Sequence, residues 1–253
     1  MVPALKALKR CVPYSAKVWL REKALNHYGV PCSRFGLPGP LVTLFRGSPP
    51  ITLVDVGASK GDFTDMVCQF CDIKKALLVE LQPKRCEELR ARFAQNRFQV
   101  VCAAAGSREE EREVAVLAWD YSTSLLKIDQ TDANVVGLND FSVREWTKTL
   151  VRPLDQLCHE CGLVEPIDLL KLDVQGAEGM ALEGARETLP RVRALWTEVS
   201  FRPLYERSIT FWGVYELCRR AGFHLVALED GYRGANGELL QADALFVRNG
   251  TAG

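Results

Sequence analysis

The stretch Ile51 to Phe63, ITLVDVGASKGDF, limits the possible folds of this chain more than any other. Ile51 to Val56 is a short apolar run with β-branched residues, glycines follow at Gly57 and Gly61, and Phe63, Met66, Val67 and Phe70 then recur at i, i+3, i+4 and i+7. The first pattern is that of a buried strand, the last is one face of a helix, and the glycines between them predict a tight turn. A helix N-terminus beyond such a turn offers unpaired N–H groups and a partial positive charge to an anionic group. A second apolar run, Ala76 to Val79, ends in Glu80. An acid at the tip of the neighbouring strand is placed to accept hydrogen bonds from the two hydroxyls of a ribose. The expected ligand is therefore a nucleoside-containing cofactor.

A dinucleotide fingerprint has glycines at alternate positions and a third one three residues on. Here the order is Asp55, Gly57, Ser59, Gly61, with an acid inside the strand end. That order leans away from NAD. It resembles the first motif of class I S-adenosylmethionine (SAM) methyltransferases, in which the strand-end acid lies near the amino acid part of the cofactor and the turn backbone lines the cleft. The competing reading of the turn alone is a tight strand-to-helix connection of any α/β protein, and Glu80 counts against it.

The 253 residues, 47% hydrophobic and 25% charged, suit one soluble α/β domain with additions, divided as an N-terminal helical extension and linker over 1–50 and a cofactor-binding domain over 51–253. Lys plus Arg and Asp plus Glu number 32 each, so the basic footprint of a nucleic-acid binder is missing. The sequence has no apolar run of transmembrane length and no compact apolar core of a secretory signal, so the expected location is cytoplasmic. This composition leaves a homodimer possible. Nine cysteines in a chain of this length read as reduced thiols. Cys68 with Cys71 and Cys158 with Cys161 have metal-ligand spacing, but both pairs fall in predicted helices rather than on knuckle turns, and buried small hydrophobes are the better reading.

Val2 to Tyr28 reads as a basic amphipathic helix split at Pro13, a lid over the cleft in preference to a contact for an acidic membrane or anionic substrate. Gly29 to Pro50 reads as a linker with a short LVTLF strand or turn. Pro83 starts a helix, Phe98 to Cys102 is the third strand, and the small residues Ala103 to Gly106 let a flat ring such as adenine come close. The charge run Arg108 to Glu113 reads as a solvated turn between that strand and one at Val114 to Trp119. A polar insertion with Ser122, Thr123, Ser124 and Asn139 is expected over the cleft before a strand at Leu150 to Leu154. Ile167 to Leu172 is the fourth core strand, with Lys171 and Asp173 on one face. A lysine in a covered parallel strand must find an acid or do chemistry. Ala194 to Val199 carries Glu198 at its end, and Phe223 to Leu228 and Ala242 to Val247 can pair antiparallel. The fold class that follows is α/β: a Rossmann-like doubly wound sheet of about seven strands, mainly parallel, with an antiparallel C-terminal hairpin strand.

VDVGASKGDF, LLVELQP, IDLLKLDVQGAEGMALEGA, TEVSFRPLY and QADALFVR, in this order, strongly resemble the FkbM family of SAM-dependent methyltransferases over Leu53 to Arg248. Ser59 stands where that family usually has Asn, and Gln175 where it usually has Glu. The resemblance implies transfer of the SAM methyl group to a hydroxyl of a small molecule, a sugar or glycan, or a natural product. It implies a cofactor site built from Asp55, Gly57, Ala58, Ser59, Gly61 and Phe63 around the first turn. Glu80 and Leu81 join them after the second strand, with Ala103, Ala104 and Asp173 opposite. Asp173 is expected to orient the acceptor hydroxyl and take its proton, or else only to contact the methionine part of SAM, while Lys171 and Glu198 form a charge pair that fixes it. A divalent metal is possible there but is not predicted. His224 lies at the wrong edge of the sheet, and His27 and His159 lie on peripheral helices. The rival classes are an NAD- or nucleotide-dependent oxidoreductase and a non-catalytic SAM-binding protein.

Overall fold

The computed structural model describes residues 39–117, 124–127, 143–234 and 236–250. The basic helix read over Val2 to Tyr28, with His27, lies outside these residues, as do Ser122, Thr123 and Asn139 of the polar insertion. Seven strands form the main sheet: β1 (Ile51–Val56), β2 (Ile73–Glu80), β3 (Phe98–Cys102), β7 (Ile167–Leu172), β8 (Val192–Ser200), β9 (Phe223–Asp230) and β10 (Gln241–Arg248). Their order is β3-β2-β1-β7-β8-β10-β9. The first five run parallel, while β10 lies antiparallel between β8 and β9. A short sheet of β4 (Ala104–Ala105), β5 (Glu110–Leu117) and β6 (Val143–Arg152) sits beside it.

The central strands are covered on both faces, and their alternation divides the core in two. Val54, Leu77, Leu170, Leu195 and Phe246 point to one side, against α4 (Leu154–Glu160), α5 (Glu178–Glu183) and α6 (Phe211–Arg220). Leu53, Leu78, Leu169, Ala194 and Leu245 point to the other, against α1 (Gly39–Phe45), α2 (Asp62–Cys68) and α3 (Pro83–Arg92). Cys71 belongs to the second core and Cys158 to the first, so the two cysteine pairs lie on opposite faces of the sheet and do not converge.

Two expectations are corrected. LVTLF is not a strand or turn: Gly39–Phe45 is helical, because Leu41, Val42 and Phe45 fall on one helical face and bury it in the second core. Nor is the charge run Arg108 to Glu113 a turn, since Glu110–Glu113 belongs to β5. The strand accommodates these charges because one side of the β5–β6 ribbon is solvated, and Glu110 pairs there with Arg108 at 3.1 Å and Arg112 at 2.6 Å. His159 is exposed on α4, and His224 is exposed at the start of β9 with Nδ1 2.9 Å from Asn249 Oδ1.

Phe246 is fully buried on β10 and packs its ring against Tyr215 of α6. Phe246→Ala should lower stability by about 3–5 kcal/mol, the range for emptying an aromatic core site. The midpoint of urea unfolding, at unchanged slope, measures it.

Candidate active site

The chain passes from β1 outward to β2 and β3, and later from β7 to β8 on the other side, so strand order reverses between β1 and β7. Ligands of open α/β sheets bind beyond the carboxyl ends of the strands at such a point. Asp55 and Lys171 are register partners there. Lys171, 5% exposed, donates to the Gly57 carbonyl at 2.7 Å and faces Asp55 Oδ1 at 3.2 Å and Asp173 Oδ2 at 3.5 Å. Its ammonium lies 5.7 Å from the centre of the Phe63 ring. Asp55 is fully buried and accepts a hydrogen bond of 2.7 Å at Oδ2 from Thr64 Oγ1. Burial works against the charge on Lys171, but the Asp55 and Asp173 carboxylates outweigh it and hold its pKa above the ordinary lysine value. Gly57 (φ 75°) is required by this packing, because a Cβ there would stand 1.8 Å from the Asp173 carbonyl oxygen.

An open cleft of about 670 Å³ lies above this pair. Of the residues expected around a cofactor, Gly57, Ser59, Glu80, Leu81, Ala103, Ala104 and Asp173 line it. The rest of that group lies behind the turn. Asp55 and Ala58 are buried, Phe63 lies beside Lys171, and Gly61 (φ 85°) packs on Phe93, where a Cβ would come within 2.4 Å of Cε2. Glu80 is fixed by backbone donors, Ser59 N to Oε2 and Gln82 N to Oε1, both at 2.9 Å. A carboxylate with one bond per oxygen retains lone pairs for further donors. Burial raises the Glu80 pKa, and the two backbone N–H groups oppose the rise.

The cleft closes at Asp173, Val174 and Gln175. Here the expected Lys171–Glu198 pair is corrected: Lys171 is taken by Asp55 and Asp173, its neighbours in register and on the strand, and Glu198 is held by amides. Glu198 Oε2 accepts from Gln241 Nε2 at 2.8 Å and from Gln175 Nε2 at 3.2 Å, while the same Gln175 nitrogen donates to Asp173 Oδ1 at 2.8 Å. Tyr205 O–H donates to Gln175 Oε1 at 3.1 Å. Glu178, 5% exposed, accepts from Val174 N at 3.0 Å and Gly176 N at 3.2 Å, which ties down the loop that carries Gln175. Gln175, Tyr205 and Gln241 did not emerge as site residues from the sequence. The one available signal was the departure at Gln175.

This edge is strongly acidic. Burial, then the neighbouring Asp173, Glu178 and Asp243, raise the Glu198 pKa well above the ordinary glutamate value. Burial pushes Glu178 up to about 7, and burial with Asp173 pushes Asp243 up to about 6.

Known proteins resemble this chain. A family model described as the methyltransferase FkbM domain matches residues 55–225. The 2-O-methyltransferase NoeI of Sinorhizobium fredii is 28% identical over 224 residues, which cover 83% of this chain and 86% of that protein. Among solved structures, methyltransferase FkbM from Methylobacillus flagellatus KT is 17% identical with a TM-score of 0.49, over 78% of this chain and 43% of that one. The chain thus spans less than half the length of that structure. Aeropyrum pernix fibrillarin in complex with SAM is 11% identical with a TM-score of 0.45, over 81% and 68%.

The raised acids make stability depend on pH. Glu178 rises from 4.5 to about 7 on folding, so the folded state holds a proton that the unfolded chain releases. Stability from this group is full below pH 4.5 and is lost as pH rises through about 7. Glu178→Gln keeps an oxygen acceptor for the Val174 and Gly176 N–H groups but cannot ionise. Melting temperatures from pH 4 to 8 should fall less steeply with rising pH in this variant than in the wild type. Parallel curves would show that Glu178 does not titrate in that range.

Proposed function

This chain belongs to the FkbM methyltransferase family, and on that premise we propose that it methylates the oxygen of a hydroxyl on a sugar, a glycan or a related natural product. Within a SAM-dependent methyltransferase, the donor set around the cleft fits the cofactor. Glu80, with a free lone pair on each oxygen, is the ribose acceptor, and Leu81, Ala103 and Ala104 leave the flat apolar space an adenine needs. Gly57, Ser59 and Asp173 take the methionine end. When bound, SAM would supply a methyl carbon on a sulfonium, which the acceptor oxygen would take as the carbon–sulfur bond breaks with its electron pair left on sulfur in S-adenosylhomocysteine.

The remaining work falls to this chain: aligning the acceptor oxygen, excluding water and receiving a proton. The observation that carries the reading is the acidic edge at Asp173 and Glu198, two carboxylates bridged by one amide beside the cleft. Carboxylates accept hydrogen bonds from neutral hydroxyls and repel phosphate and carboxylate groups, which favours a polyol over an anionic acceptor. The resemblance to a 2-O-methyltransferase supports the same class. All described cysteines are free thiols, which suits a reducing compartment, and the reading includes a cytoplasmic enzyme. No helix among the described residues is long and apolar enough to cross a membrane.

Glu80→Ala should weaken SAM binding by roughly 1–3 kcal/mol, the range for losing charge-assisted hydrogen bonds. Calorimetric titration measures it, and an unchanged dissociation constant would remove Glu80 from the site. Transfer of label from methyl-labelled SAM to a panel of methyl glycosides, amines and carboxylates tests the acceptor class, and label found only on the amines or carboxylates would overturn it.

A further inference from the structure

The two carboxylates at the acceptor edge are not equivalent, and one side chain makes them differ. Asp173 has both oxygens engaged, Oδ1 by Gln175 Nε2 at 2.8 Å and Oδ2 facing the Lys171 ammonium at 3.5 Å. Glu198 has only Oε2 engaged, by Gln175 and Gln241. Its Oε1 has no hydrogen-bond partner among the described residues. The amide of Gln175 can take only one orientation here: the oxygen receives the Tyr205 O–H, and the nitrogen must face the two carboxylates, since the flipped amide would set an oxygen against both. The backbone of Gln175 is held in the left-handed region (φ 54°), a conformation that costs free energy and persists where surrounding contacts enforce it. Those contacts are the Tyr205 hydroxyl and the loop pinned by Glu178.

We infer that Gln175 is a positioning residue that assigns the two carboxylates different tasks: Asp173 stays locked between amide and Lys171 and orients the acceptor, while Glu198 presents Oε1 to the acceptor hydroxyl and takes its proton. This rests on the hydroxyl-methylation reading and moves the proton from Asp173, where the sequence suggested it, to Glu198. As the bond from oxygen to the methyl carbon forms, the O–H bond gives its proton to Glu198 Oε1 and its electron pair stays on oxygen. The charged and titratable groups around Glu198 are Asp173 beyond β7, Lys171 on β7, Glu178 on α5, Asp243 on β10 and Tyr205 in the loop after β8. Three of these five are carboxylic acids, and Gln175 is the neutral spacer among them. A carboxylate with few donors in such company holds a proton more tightly than an exposed glutamate, as a base working near neutral pH must.

The test follows Glu198 directly. In protein carrying carboxyl-labelled glutamate, its carbon signal, assigned by its loss in Glu198→Gln, is titrated by NMR from pH 4 to 9. A midpoint above the ordinary glutamate value is expected in the wild type. Gln175→Leu, which removes one donor, should raise it, and Gln175→Glu, which adds a like charge, should raise it further, by about one pH unit or more. SAM binding by calorimetry confirms that each variant folds. A wild-type midpoint at the ordinary value, or one that neither substitution moves, overturns the inference. On any glycoside the wild type methylates, Glu198→Gln should lose on the order of a hundredfold in kcat at near-normal SAM affinity. A wild type that binds SAM but methylates no glycoside counts against the acceptor class. A Glu198→Gln enzyme with normal kcat counts against Glu198 alone.

Discussion

The buried ion pair between Lys171 and Asp55 joins the two halves of the sheet at the point where strand order reverses. Taking both charges out of water costs several kcal/mol, and the attraction offsets that only when the remaining donors and acceptors are also used. Most are: Thr64 serves Asp55 Oδ2, the Gly57 carbonyl and Asp173 serve Lys171, and Asp55 Oδ1 faces the Lys171 ammonium without a hydrogen bond among the described residues. The pair sits across register neighbours of β1 and β7, so the turn after β1 and the loop after β7 are brought to a fixed separation. Gly57 completes the arrangement, since any side chain there would collide with the Asp173 carbonyl. Both walls of the cleft are therefore set by one interaction beneath it.

The two non-glycine residues with left-handed backbone in the cleft wall, Ser59 (φ 48°) and Gln175 (φ 54°), flank this point. Each is held by a polar contact that the strain serves. Ser59 turns its N–H to Glu80, which orients that carboxylate, and Gln175 turns its amide between Asp173 and Glu198. Strain at these two positions gives pre-organised polar groups on either side of the cleft, one at Glu80 and one between Asp173 and Glu198.

The sequence made the frame legible because strand period, glycine turn and strand-end acid are local signals. Ile51 to Val56, the helix after Gly61 and Glu80 all stand where their pattern puts them. LVTLF did not, since a short apolar run fits a strand or a buried helix equally and only its packing into the second core decides. The need of Lys171 for an acid was legible, but the choice among Asp55, Asp173 and Glu198 was not. That choice depends on the register of two strands more than a hundred residues apart. Gln175 was noticed only as a departure. Its role rests on Tyr205 and Glu198, each brought to it by tertiary packing and invisible to periodicity.

Under the proposed hydroxyl methylation, the balance of charge beside Asp173 and Glu198 bears on rate as well as recognition. A pocket of uncompensated carboxylates would favour a cationic cofactor most in its ground state, and binding of that kind does not lower a barrier. Lys171 offsets much of the charge of Asp55 and Asp173, and near neutral pH the pKa values of about 7 for Glu178 and about 6 for Asp243 leave part of theirs neutralised by protons. Burial and the neighbouring acids favour the protonated form of Glu198 as well. An acidic cluster arranged this way discriminates against anionic acceptors at long range, while limiting its hold on the positive charge that disappears as the methyl group moves.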